Sequence, residues 1–381
     1  MNILYISDNS LDLVGGTNEY VKNVLKYVSI KNKIVFVYPS NIRDKIHTIN
    51  NVIFYPINIE NHLTYRNKMA YYMKYFNNIL EDLIKQYKID VFHLLSGFII
   101  INKINFSILK KYDVKTFLTI HNVPPQECSK SWLGDNIFIY CFDVIRKIIL
   151  HFESIYRIRK AKYDNYIAMS EYVKKLILKC NNSINIEIIK LGSSVNYINN
   201  NNYKDYSEYK ILTVAGIVPH KNQLLIAKTC RYLIKKNIKF NWLIVGPIRN
   251  ARYYQKLIKV IKKYKLENVL KIITSAKVDE VKAAYRNANI YIQPSKEEGF
   301  CIAALDAIMN GIPLIGSNVG DIYNMANITN GKIIELNQES IYKAIISIKT
   351  NNNNISKEII RNEYNWEKNI SKLMELYKLS I

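Results

Sequence analysis

Short apolar runs and longer amphipathic ones alternate from one end of this sequence to the other. That alternation restricts the fold more than any single residue does. Ile3–Ser7 is short and β-branched, as a buried strand requires, and a loop holding Gly15 and Gly16 leads from it into a helical pattern over about 18–29. Lys33–Val37, Val52–Tyr55, Val91–Leu94, Thr116–Ile120, Asn165–Ala168 and Ile186–Lys190 read as further strands, with helices over Tyr71–Tyr87 and Glu171–Lys179. Strands separated by helices pair in parallel through crossovers, which gives an open sheet covered on both faces.

The pattern pauses at an asparagine-rich polar stretch over 197–203, which suits a linker. It then restarts, with strands at Tyr209–Ala215, Trp242–Val245, Leu270–Thr274, Ile290–Gln293 and Leu314–Gly316. Helices over Asn222–Asn237, Tyr253–Tyr264, Asp279–Asn287 and Phe300–Met309 lie between them. A chain of 381 residues is too long for one compact core and suits two. The expectation is an α/β protein of two doubly wound Rossmann-like domains, 1–198 and 209–365, facing a central cleft. In such sheets the ligand crevice lies beyond the carboxyl ends of the strands.

Lys and Arg number 54 against 31 Asp and Glu, a formal charge of +23. The excess is spread evenly, about +10 in residues 1–200 and +13 in the remainder, with no basic tail. This argues against a nucleic-acid arm and for no specific nucleic-acid partner. It leaves open a peripheral contact with an anionic membrane, or a plain consequence of A/T-rich codons, since Ile, Lys, Asn and Tyr are all abundant. Five cysteines (Cys128, Cys141, Cys180, Cys230 and Cys301) show no metal-ligand spacing and read as reduced thiols. The N-terminus enters a strand directly, without a basic n-region, and the apolar stretches 92–109 and 137–150 are broken by charges. The expected location is cytoplasmic, at most held on the cytoplasmic face of a membrane. No HExxH, P-loop or Gly-x-Ser-x-Gly pattern is present, which excludes the usual zinc-protease and serine-elbow chemistries.

Four strand-to-helix junctions carry the candidate chemistry. Gln293-Pro294-Ser295-Lys296-Glu297-Glu298-Gly299-Phe300 ends a strand in two carboxylates and a glycine before a helix whose free N–H groups suit a phosphate. Glu298 precedes that helix, and Asp306 is expected about two turns inside it. Gly216 to Lys221 forms a second junction. A lysine at a helix start is disfavoured unless an anion is present, which makes Lys221 a phosphate-binding candidate. Leu13-Val14-Gly15-Gly16 is a weaker glycine loop, lacking the three spaced glycines of a dinucleotide fingerprint. His121, after Leu118-Thr119-Ile120, stands at a strand's carboxyl end.

Together these residues resemble the retaining glycosyltransferases of family 4, also called group 1, which have the GT-B fold. Gly15-Gly16 is similar to that family's glycine loop, Thr119–Pro125 to its T-x-H-N segment, and Ala168–Glu171 to its A-x-S-E helix start. Gly216–Lys221 resembles its G-R-x-x-x-K loop, and Pro294–Pro313 its long P-S-x-x-E-G-F signature. Asn365-Trp366-Glu367 resembles the start of a C-terminal helix, 366–381, that in this fold returns to the first domain.

The resemblance implies a nucleotide-sugar donor (a UDP- or GDP-sugar) and a glycan or lipid-linked acceptor, in cell-surface polysaccharide or lipopolysaccharide synthesis. It implies no metal and no other cofactor. Glu298, His121 and Lys221 would be catalytic. Gly15, Gly16, Gly216, Lys221, Glu298, Gly299, Phe300 and Asp306 would bind the donor. Ile217 stands where the family has Arg, with His220 as a weak substitute, and Asp306 stands where it has Glu. A sugar-nucleotide epimerase of the same fold and a noncatalytic nucleotide-sugar-binding relative are the alternatives.

Overall fold

The structure is a computed structural model. It describes the chain except residues 12–14, 43, 61–62, 125–136, 194–206 and 349–356, and only the backbone of 137–143 and 357. Leu13, Val14, Pro125, Cys128, the Cys141 side chain and most of the expected linker lie outside the described residues. The chain divides into two compact units. One comprises Met1–Cys128, Cys141–Gly192 and Asn365–Ile381, and the other Ser129–Tyr140 and Ser193–Tyr364.

In the first unit, β1 (Asn2–Ile6) is followed by α1 (Gly16–Val28), β2 (Lys33–Ser40), β3 (His47–Ile49), β4 (Val52–Asn58) and α2 (Tyr65–Tyr87). Next come β5 (Val91–Leu94), α3 (Phe106–Lys111), β6 (Lys115–Ile120), α4 (Ile137–Lys160, which belongs to this unit from Cys141 onward), β7 (Asn165–Ala168), α5 (Glu171–Cys180) and β8 (Ile186–Ile188). The strands form one sheet in the order β3-β4-β2-β1-β5-β6-β7-β8, parallel except for the antiparallel pair β3 and β4. Strand β1 is flanked by β2 and β5, so the winding reverses beside it. Its Ile3, Leu4, Tyr5 and Ile6 are fully buried, as continuous apolar strands under helices on both faces must be. Helix α2 begins six residues before the sequence pattern suggests, because the Thr64 hydroxyl accepts from Asn67 N and caps it.

The second unit runs β9 (Tyr209–Val214), a 3-10 turn (Pro219–Lys221), α6 (Gln223–Lys235), β10 (Phe240–Val245), α7 (Ala251–Lys263) and β11 (Leu270–Ile273). It continues with α8 (Val278–Asn287), β12 (Ile290–Gln293), α9 (Ile302–Met309), β13 (Leu314–Ser317), α10 (Ile322–Ile328), β14 (Lys332–Ile334), α11 (Gln338–Ile348) and α12 (Lys357–Glu363). Its six-stranded sheet, β11-β10-β9-β12-β13-β14, is wholly parallel. Strand β9 lies between β10 and β12, so the switch point opens at the carboxyl ends of β9 and β12.

The last helix, α13 (Trp366–Ser380), belongs to the first unit. Asn365 caps it by accepting from Lys368 N. Trp366 packs beside Tyr27 and onto Gly192, where a Cβ would lie 2.4 Å from the indole Cγ. The far end is fixed by Tyr377, whose hydroxyl is 2.5 Å from His93 Nδ1 and 3.2 Å from the Tyr5 hydroxyl. His93 Nε2 in turn lies 2.8 Å from the Thr119 hydroxyl. All four side chains are buried, so each polar atom needs the partner it has.

Candidate active site

The first loop of the site leaves β9 at Val214 and is tied down along its length. Ile217 N donates to the Pro247 carbonyl, and the Ile217 carbonyl accepts from Arg249 N and Asn250 N. These bonds carry the ladder one step beyond β9 and β10, with Ile217 bridging Ile248. The Gln223 amide donates to the Gly216 carbonyl at 3.0 Å and closes the loop from within α6. Lys221 does not open a helix: it ends the 3-10 turn, and Asn222, left-handed with φ 60°, separates it from α6. The turn aims the lysine across the switch point, and the His220 carbonyl accepts from Lys296 N of the second loop.

That second loop follows β12. Lys221 Nζ donates to Glu298 Oε2 at 2.6 Å. Glu298 Oε1 accepts from the Ser295 hydroxyl at 2.7 Å and from the Gln293 amide at 3.2 Å. The Tyr291 hydroxyl orients the same Gln293 by donating to its Oε1 at 2.8 Å, and the Ser317 hydroxyl donates to the Ser295 carbonyl. Gly320 passes behind the carboxylate with φ +61°, so close that a Cβ there would lie 2.8 Å from Glu298 Cβ and from the Phe300 carbonyl. Glu298 is 6% exposed and Lys221 20%. Burial disfavours the Lys221 charge, but the Glu298 carboxylate outweighs it and raises the ammonium pKa above its ordinary value.

The helix after this loop starts at Ile302, not Phe300. Cys301 takes a left-handed conformation, φ 85°, and the Phe300 carbonyl accepts from Asp321 N instead of joining the helix. Asp306 therefore sits a little over one turn inside α9, half-buried, rather than two turns. Asp321 is fully buried and accepts from the Tyr364 hydroxyl at 2.6 Å. Burial pushes the Cys301 thiol well up, so it stays protonated beside Glu298.

At the position of the expected arginine, neither Ile217 nor its expected substitute His220 supplies a charge. Ile217 is fully buried in the core of the second unit, so its side chain offers nothing to a ligand. His220 is no substitute cation: burial, with the adjacent Lys221 charge, lowers its pKa to about 4. Gln293 and Ser295 stand in the sequence motif without a role assigned to them, and Gly320 carries no sequence signal; all three support Glu298.

The structure thus gathers Gly216, Lys221, Glu298, Gly299 and Phe300 on the loops of β9 and β12, with Asp306 on α9. Gly15, Gly16 and His121 belong to the first unit. Gly15 precedes α1 in an extended conformation, exposed, and a Cβ there would meet nothing within 4 Å among the described residues. His121 Nε2 lies 2.8 Å from the Leu95 carbonyl and donates to it, and its ring meets Tyr20 edge-on at 4.9 Å. Burial lowers its pKa to about 4, so it is a neutral imidazole with Nδ1 available as an acceptor. Among the described residues, no group of three or more His, Cys, Asp or Glu could hold a metal ion, and no helix is long and apolar enough to cross a membrane.

Two doubly wound units of this topology define a GT-B protein, and solved structures agree. The chain matches a sucrose-phosphate synthase from Thermosynechococcus elongatus with a TM-score of 0.76 at 16% identity, covering 99% of this chain and 98% of that one. It matches Anabaena HepE, solved in complex with UDP and glucose, with a TM-score of 0.70 at 10% identity over the whole of both chains. Residues 194–366 match the model of the glycosyl transferases group 1. The O-antigen chain mannosyltransferase RfbU of Salmonella typhimurium is 22% identical over 57% of this chain and 55% of its own length. The chain spans between about a quarter and three fifths of the curated relatives it matches first.

Proposed function

We propose that this protein is a retaining glycosyltransferase that moves a sugar from a UDP- or GDP-sugar to a glycan or lipid-linked acceptor in cell-surface polysaccharide or lipopolysaccharide synthesis. The observation that carries the reading is the Lys221–Glu298 pair, held by Gln293 and Ser295 at the switch point of a group 1 glycosyl transferase segment. The two charges suit the two halves of such a donor. An ammonium stabilises the diphosphate as the bond from the anomeric carbon to the phosphate oxygen breaks, and a carboxylate accepts from sugar hydroxyls. Lys221 Nζ is oriented and partly desolvated before a ligand arrives, which is the preorganisation such stabilisation needs.

The backbone at Gly216, Gly299 and Phe300 lies on the same loops and is assigned to the diphosphate, and Asp306 to the ribose hydroxyls. Gly15, Gly16 and His121 are assigned to donor and acceptor on the resemblance. The open space around Gly15 supports this, because among the described residues nothing packs where its Cβ would be. RfbU supports the polysaccharide context by its name, and the HepE complex supports a UDP-linked donor. The reading includes cytoplasmic action without a metal, with the diffuse positive charge favouring contact with an anionic membrane surface.

The test is a transfer assay with a panel of UDP- and GDP-sugars and lipid-linked acceptors, run with and without EDTA. Transfer with retained anomeric configuration, unaffected by EDTA and lost in Lys221→Ala and Glu298→Ala, is the expected result. Binding of nucleotide sugars without any transfer or hydrolysis would favour the noncatalytic relative, which the burial of Ile217 motivates.

A further inference from the structure

The electrostatics of the site leave a charge unmatched. Lys221 Nζ is 2.6 Å from Glu298 Oε2, so together the two contribute almost no net charge, and His220 is neutral beside them. A nucleoside diphosphate brings at least two negative charges into this partly desolvated place, and desolvated phosphate oxygens need cationic donors. The loop after β10 supplies one. Arg249 N donates to the Ile217 carbonyl at 3.3 Å, and Ile217 N donates to the Pro247 carbonyl at 2.9 Å, which fixes this loop against the Gly216 loop. The stem of Arg249 runs directly over Gly216: a Cβ added to Gly216 would lie 3.1 Å from Arg249 Cγ. The missing side chain at 216 is what lets the arginine lie there.

We propose that Arg249 is the second cation of the diphosphate site, reaching over Gly216 to hold the phosphates while Lys221 remains paired with Glu298. This rests on the reading of the site as a nucleotide-sugar donor site. A guanidinium suits the task, being always charged and able to bond two phosphate oxygens at once. Because strands β9 and β10 are adjacent and parallel, their carboxyl-end loops are neighbours, and a cation can come from either. Here position 217 is occupied by a core isoleucine, and the charge comes from the neighbouring loop.

The experiment is calorimetric titration of the full chain with UDP and with GDP, comparing wild type, Arg249→Gln, Arg249→Lys and Arg252→Gln. Arg249 is exposed, and the unliganded melting temperature of each variant is measured beside the titrations, so that any change in folding is told apart from a loss of ligand contact. Arg249→Gln should weaken the bound diphosphate roughly ten- to hundred-fold, the size of a lost charge-assisted hydrogen bond. Arg249→Lys should recover part of that loss, and Arg252→Gln, in the first turn of α7, should bind as wild type does. Unchanged affinity in Arg249→Gln overturns the proposal, as does an equal loss in Arg252→Gln, which would point to a general positive field. If wild type binds neither UDP nor GDP, the donor-site reading itself fails and this proposal with it.

Discussion

Lys221 and Glu298, 77 positions apart in sequence, meet at 2.6 Å across the switch point of the second sheet. The pair is asymmetric in its supports. Glu298 has two further donors in Ser295 and Gln293, whereas the lysine emerges from a 3-10 turn held by backbone bonds.

That asymmetry separates two substitutions. Lys221→Ala leaves a buried carboxylate without its cation and should lower stability by about 1–3 kcal/mol, while kcat/KM falls roughly a hundred-fold or more. Adding Glu298→Gln to it should restore much of the stability and none of the transfer. Denaturant melts beside initial rates check both, and a double variant no more stable than Lys221→Ala would contradict the account.

Gly320 is left-handed and sits directly behind Glu298. Gly320→Ala should cost about 1–3 kcal/mol in backbone strain, and its Cβ must displace the carboxylate. The expected signature is weaker donor binding beyond the change in stability, read by titrating a nucleotide sugar at a temperature where the variant is fully folded.

In the first unit, Tyr377 joins α13 to His93 and Tyr5. Tyr377→Phe should lose about 1–3 kcal/mol, because it leaves a buried imidazole nitrogen without its partner. Tyr377→Ala should lose about 3–5 kcal/mol by adding a cavity. Chemical denaturation monitored in the first unit would show this order, and equal effects would mean that the hydroxyl contributes nothing.

Burial holds His93 at about 3 and His121 and His220 at about 4, below the ordinary 6.5. As pH falls below 6.5 the unfolded chain takes up protons that these folded histidines refuse. The stability they contribute is therefore complete above pH 6.5 and drains away toward pH 4, by up to roughly 1.4 kcal/mol per pH unit for each histidine. Asp8, raised by burial, works the other way: as pH falls it takes up its proton earlier in the folded protein than in the unfolded chain. The urea midpoint should drop between pH 7 and pH 5, and His220→Gln should flatten the drop.

Much of this was legible in the chain itself because strands such as Ile3–Ile6 and Ile290–Gln293 are continuous apolar runs, and that signal is local. Helix ends were less legible. Cys301 turns left-handed because the Phe300 carbonyl is taken by Asp321, a partner twenty-one residues away that no periodicity reveals. Strands β3 and β14 are three residues each, too short for a pattern.

The sequence alone determined the two doubly wound units and the loops that carry Gly216, Lys221, Glu298 and Gly299, since alternation and turn chemistry are properties of neighbouring residues. Only the tertiary structure decided that Lys221 is matched to Glu298, that Gln293, Ser295 and Gly320 fix that carboxylate, and that Ile217 is core. Parallel strands bring residues from distant crossovers to one edge. Charge pairing and burial there depend on which loops become neighbours, and strand order, not chain order, sets that.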